Sequence, residues 1–165
     1  MKGFRKICGQ EEEIFIRNKK GELKHLLPGE SWDCAEDVQT CVFPRRQRLI
    51  IPAGAAKDEQ SLHWGGYCML RCRLGLPQRF MIRHEKELME GKETEKILGD
   101  IARNILMEEM AESVKTAGKY PDEKKQQEMW RKIETRIKES FLLEGWIQEE
   151  CLPGYFRCER KGGNL

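Results

Sequence analysis

Two apolar stripes at helical spacing occupy the C-terminal half of this chain. The first runs through Ile97, Leu98, Ile101, Ile105, Leu106, Met110 and Val114. The second runs through Trp130, Ile133, Ile137 and Phe141, with Met129 alongside. Steps of three and four residues put each set on one side of a helix, with Glu, Lys and Arg on the other. Gly118 sits where the first helix would end. Pro121 suits the first turn of the second, and Asp122 and Glu123 are favourable near its positive end. Gly145 closes it. Each stripe needs a surface to pack on, and the residues in front must supply it.

Those residues are β-prone. Residues 11–17 end in a short apolar run. Asn18 to Gly21 supplies turn chemistry, and Glu22 to Leu27 reads as a return strand, closed by the turn at Pro28-Gly29. Residues 38–43 form a further strand stopped by Pro44, and residues 47–51 another before Pro52. Ala53 to Ser61 reads as a small polar loop. The clearest strand is 64–74, where Tyr67, Met69 and Arg71 alternate with Cys68, Leu70 and Cys72. Gly75 to Pro77 ends it, and Phe80-Met81-Ile82 follows as a short buried segment. After the helices, Ile147 to Arg157 is one last β segment interrupted by Pro153-Gly154.

Strands followed by helices predict an α+β fold rather than alternating α/β. The expected architecture is a mostly antiparallel sheet, two long C-terminal amphipathic helices packed on it, and a final strand. At 165 residues the chain suits one core. The expected organisation is an N-terminal segment at 1–9, a single domain at 10–158 and a flexible tail at 159–165.

Charge narrows the partners. Lys and Arg number 30 against 28 Asp and Glu, a formal balance of +2. That is no electrostatic footprint for nucleic acid, which needs a clearly basic face. No apolar run approaches the roughly 20 residues that span a bilayer, and the start of the chain lacks the apolar stretch of a signal peptide. The expectation is a cytoplasmic chain, with peripheral contact to a membrane left open.

Catalytic signatures are scarce. His25, His63 and His84 lie in different segments with no His-x-x-x-His pair, and read as exposed or hydrogen-bonded loop histidines. The seven cysteines (Cys8, Cys34, Cys41, Cys68, Cys72, Cys151 and Cys158) are an odd set that argues against a disulfide framework. Cys68 and Cys72 share one face of a strand but lie ~13 Å apart at strand rise. Six residues separate Cys34 from Cys41, and six separate Cys151 from Cys158. None has the spacing of a zinc knuckle, so buried small hydrophobes are the expected role. Phosphate-binding glycine loops and a nucleophile elbow are both missing. Glu11 to Glu13 and Glu108-Glu109 read as solvated faces. Arg45, Arg46 and Arg48 could meet a phosphate or an anionic membrane; a charged strand edge that blocks unwanted pairing is the plainer reading. No metal or cofactor is expected.

Three stretches resemble one known family. Glu13 to Trp32 looks like an opening hairpin ending in Leu26-Leu27-Pro28-Gly29. Gly65 to Phe80 is similar to a central strand of the type Gly-x-Tyr-x-x-Arg leading to an Asp-Pro turn, although Leu76 stands before Pro77 here. Leu142 to Ile147 is similar to a junction from the last helix into the last strand, with Gly145 and Trp146 in reversed order. Together they span about residues 10–157 and resemble the SPFH domain (stomatin, prohibitin, flotillin), in its soluble bacterial branch. That resemblance implies a scaffold rather than an enzyme, assembling side by side and usually on membranes.

The expected function is therefore a non-enzymatic scaffold or interaction domain. It would self-associate as a homo-oligomer or bind a membrane-linked protein partner, with no nucleic acid and no small-molecule substrate. The aromatic second helix suggests the surface: Trp130, Ile133, Ile137 and Phe141 are the expected partner interface. The alternative is a small cysteine-dependent enzyme or zinc-binding module.

Overall fold

The computed structural model describes residues 4–34, 37–57, 62–118 and 121–160. The fold is α+β, built from three antiparallel sheets, three helices and a closing strand. The strands are β1 (Phe4–Ile7), β2 (Glu12–Arg17), β3 (Leu23–Leu26), β4 (Ser31–Cys34), β5 (Gln39–Pro44), β6 (Arg46–Lys57) and β7 (Leu62–Leu74). Helices α1 (Pro77–Met89), α2 (Thr94–Ala117) and α3 (Glu123–Leu143) follow, and β8 (Trp146–Arg160) ends the order.

β2 is buried on both faces and divides the interior. Its even side chains, Ile14 and Ile16, join Cys8, Leu26 and Cys34 in a small core. That core is roofed by the β1–β4 pair. Its odd side chain Phe15 belongs to the main core with Phe43, Phe80, Phe141 and Trp146. β3 and β5 flank β2. The β2–β3 turn forms as expected: Gly21 has φ of 81°, and the Asn18 side chain accepts from the Glu22 N–H at 2.9 Å. Gly29, with φ of 87°, turns the chain back toward β4.

The second large sheet has the order β6-β7-β8. α2 packs on β6 and β7, and α3 packs on α2 and β8. Both helix stripes are thus consumed inside the chain. Arg136 of α3 reaches Glu108 and Glu109 of α2 at 2.7 and 3.0 Å, so this acidic pair is an interhelical clasp rather than a bare solvated face. Gly118 ends α2 in the left-handed conformation, donating to the Val114 carbonyl. Asp122 caps α3 by accepting from the Lys125 N–H.

Two expectations need correction. Phe80-Met81-Ile82 lies within α1, a helix of 13 residues. Pro77 at the first turn favours the helix, and Phe80, Met81 and Leu88 make its buried side while Ile82 is 73% exposed. β6 does not stop at Pro52 but runs to Lys57. It is an edge strand, where a missing N–H costs no ladder bond. Residues 53–57 of the expected loop are therefore strand, and 58–61 lie outside the described residues. At the ends, Phe4–Ile7 form β1, and 159–160 complete β8. Positions 1–3 and 161–165 lie outside the described residues.

The α3–β8 junction leaves no room for a side chain. Gly145 has φ of 87°, and a Cβ there would meet the Leu76 carbonyl oxygen at 2.5 Å. Both backbone groups are engaged: the Gly145 N–H donates to the Leu142 carbonyl at 3.1 Å, and Gly75 and Leu76 donate to the Gly145 carbonyl at 2.9 Å. Gly145→Ala should lower stability by roughly 2–4 kcal/mol in denaturant unfolding. Gly118→Ala, which changes the other left-handed helix end, should cost about 1 kcal/mol. Equal losses would contradict this account of the junction.

Candidate binding surface

Alternation along the β6-β7-β8 sheet sorts its side chains into two populations. Leu49, Ile51, Cys68, Leu70, Cys72 and Phe156 face the helices and are buried. The opposite face carries Arg46, Arg48, Ile50 and Pro52 from β6, with Arg73, Arg71, Met69 and Tyr67 from β7. Glu150 and Leu152 of β8 continue it. Register arranges these groups in rows. Arg46 lies opposite Arg73, and Arg48 opposite Arg71. The next row is apolar: Ile50, Met69 and Leu152, exposed at 70%, 40% and 44%.

Such a face is costly in two ways. Like charges directly opposite on a sheet destabilise it by roughly 0.2–1 kcal/mol per pair, and two consecutive pairs occur here. A row of exposed large apolar groups beside them forgoes burial. Local compensation is thin. Arg71 meets Glu150 at 3.4 Å, and Arg46 approaches Glu11 only at 4.0 Å. Both pairs are largely exposed and worth little. Arg48 and Arg73 have no carboxylate within salt-bridge range among the described residues. Arginine guanidinium groups held in rows beside an apolar strip suit a surface that is anionic and greasy at once.

The buried charges lie elsewhere and are saturated. Glu13 is held by His25 Nε2 at 2.5 Å and Arg45 Nε at 3.3 Å. The His25 ring stacks on Phe15 with centroids 4.3 Å apart. Glu144 receives Arg83 at 3.1 Å and a short contact from His84 Nε2. The other His84 nitrogen faces Glu87 at 3.3 Å. Lys92, and after it His84, holds the Glu87 carboxyl below its ordinary range. A buried carboxylate without such partners would be strongly destabilising, so these contacts tie β2 to β3 and α1 to the end of α3. His25 is hydrogen-bonded on β3, inside the return strand expected there, while His84 lies within α1 rather than in a loop. The His63 side chain lies outside the described residues.

Among the described residues the cysteines are free thiols, and no group of three or more His, Cys, Asp or Glu could hold a metal ion. Burial pushes the Cys41 thiol up to about 11 and the Cys72 thiol up to about 12. Cys68 and Cys151 form a contacting pair across β7 and β8. The buried Cys68 donates its S–H to Cys151, which raises the first and lowers the second. Cys151 is also the more exposed of the two.

The expected partner interface is overturned by burial. Ile133, Ile137 and Phe141 are wholly buried, and Trp130 packs partly buried against the same core. α3 has neighbours on its apolar side in α2 and β8, which leaves only Trp130 of that stripe partly accessible. The arginine face was half visible in the sequence. Of the cluster Arg45, Arg46 and Arg48, the last two lie on this face, and Arg45 pairs with Glu13 instead. Arg71 and Arg73 share the same two-residue step, which is the signal that points to a face rather than an edge. No family model matches the sequence, and no curated protein matches it.

The thiolate is the reactive form of cysteine. At neutral pH a maleimide should label Cys151 fastest among the described cysteines, with Cys41, Cys68 and Cys72 lagging. Peptide mass spectrometry over a time course measures this order. Cys151→Ser should remove the fast phase.

Proposed function

We propose that this chain is a non-enzymatic interaction domain that docks on an anionic membrane surface through the outer face of its β6-β7-β8 sheet. The observation that carries the reading is the pair of opposed arginine rows beside the Ile50–Met69–Leu152 strip. An anionic partner relieves the repulsion between Arg46 and Arg73 and between Arg48 and Arg71, and an interfacial one takes up the apolar row as well.

Magnitudes shape the proposal. A basic side chain near an anionic leaflet contributes about 1 kcal/mol. Four arginines alone give weak binding, so the apolar strip and repetition of the domain matter. A homo-oligomer presenting several such faces to one membrane multiplies weak contacts into firm attachment. Nucleic acid fits less well, because a phosphate backbone makes no use of the apolar strip and the overall charge is only +2. No helix among the described residues is long and apolar enough to cross a membrane, and the contact proposed is peripheral.

The order of elements supports an SPFH-type scaffold. An opening hairpin, a long central strand through Tyr67, two long helices and a closing strand after Trp146 follow one another as that resemblance implies. The cysteine-dependent alternative draws on the Cys68–Cys151 pair, and the labelling series bears on it.

Co-sedimentation with vesicles tests the proposal. The protein should bind phosphatidylglycerol vesicles and not phosphatidylcholine vesicles, and binding should weaken as salt screens the arginines. The double variant Arg48→Glu/Arg73→Glu should lose binding at least tenfold, since reversing two charges lowers the charge of the face by four units at about 1 kcal/mol each. Equal binding to neutral vesicles, or retention by the double variant, would contradict it. Salt-sensitive binding to single-stranded nucleic acid in place of vesicles would also overturn it.

A further inference from the structure

We infer that a second site, a groove walled by β3, α1 and the end of α3, binds the carboxylate and alkyl chain of a fatty acid. The groove has a volume of about 850 Å³, within the ~300–1,000 Å³ range of small-ligand clefts. Its aliphatic walls are Leu27, Leu76, Ile82 and Leu143, and its polar groups are His25, Gln78, Arg79 and Arg83. The four aliphatic residues are all more than half exposed. Exposed leucines and an isoleucine converging on one concavity are a larger apolar commitment than scattered surface residues.

Charge sets the ligand's head group. The described lining includes no carboxylate. His25 is already engaged by Glu13, and Arg83 by Glu144. Arg79 is different. Its one hydrogen bond goes to the Leu142 carbonyl at 3.5 Å, the outer limit of such a bond, and no carboxylate pairs with it among the described residues. One unneutralised guanidinium at the rim of an apolar groove calls for one anion, and a carboxylate matches its planar fork.

The walls set the rest of the ligand. A peptide would bring backbone N–H and C=O groups against Leu27, Leu76, Ile82 and Leu143, which offer no hydrogen bonds in return. Desolvating those groups unpaired is costly. An alkyl chain has no such groups, and each buried methylene contributes about 0.8 kcal/mol. This site is separate from the outer sheet face, and no residue of one takes part in the other. It also departs from the expectation that the chain takes no small molecule.

Isothermal titration of the full chain with dodecanoate, below its micelle-forming range, tests the inference. Saturable binding of one molecule per chain is expected. Arg79→Ala should weaken it about tenfold, the scale of one charge-assisted contact, and dodecanol should bind wild type more weakly than dodecanoate by a similar factor. Ile82→Asp, at a position 73% exposed and so safe for folding, should abolish binding. Arg48→Glu/Arg73→Glu should bind dodecanoate as wild type does, which separates this site from the membrane face. Failure of dodecanoate to saturate would overturn the inference. So would binding unchanged in both Arg79→Ala and Ile82→Asp, or capture by the groove of an apolar acidic peptide but not of dodecanoate.

Discussion

A column of aromatic rings holds the two halves of this molecule together. Phe15 stacks on Phe43 at 5.7 Å, Phe43 meets the edge of Phe80 at 5.5 Å, and Phe80 meets Trp146 edge-on at 5.5 Å. These rings come from β2, β5, α1 and β8, so one continuous contact links the hairpin sheet to the helical half. Each such pair contributes about 0.5–1.5 kcal/mol beyond the area it buries. The His25–Glu13 pair lies beside Phe15 at one end of the column, and His84, held by Glu144, lies beside Phe80. Gly145 lets the chain turn sharply enough for Trp146 to enter the column just after α3 ends.

That arrangement decides which surfaces are free. The column draws α1 onto the hairpin sheet, while α2 and α3 close the inner face of β6-β7-β8. Every helix stripe is spent on the interior. Two of the surfaces left outside are the other face of the large sheet and the groove where α1, β3 and the end of α3 diverge. Both expose apolar groups next to arginine, and neither has the charge balance expected of an idle surface. The first is extended and carries opposed arginine rows, which suits a broad anionic surface. The second is concave with a single unneutralised guanidinium, which suits one small anion with an apolar chain.

Much of the fold could be read from local chemistry. Asn18 and Gly21 announced the hairpin, Gly118 and Asp122 the ends of α2 and α3, and the three-and-four spacing the helices themselves. α1 was missed because Phe80, Met81 and Ile82 are consecutive and show no period, and because Leu76 gives no side-chain cap to mark the helix start. Pro52 looked like a strand end, yet at an edge it interrupts nothing. The candidate site was harder for a different reason. Trp130, Ile133, Ile137 and Phe141 look alike whether they face a partner or a core, and only the position of α2 and β8 decides. Likewise the two-residue steps Arg46–Arg48 and Arg71–Arg73 hint at one face, and only register sets the two pairs side by side.

The central claim is that the opposed arginines are retained for binding at a cost in stability. Arg48→Glu converts the pair with Arg71 from repulsive to attractive. Denaturant unfolding of this variant beside wild type measures the cost directly. The account predicts a gain of about 0.5–1 kcal/mol together with weakened attachment to anionic vesicles. A variant that is less stable than wild type, or more stable with undiminished attachment, would contradict it.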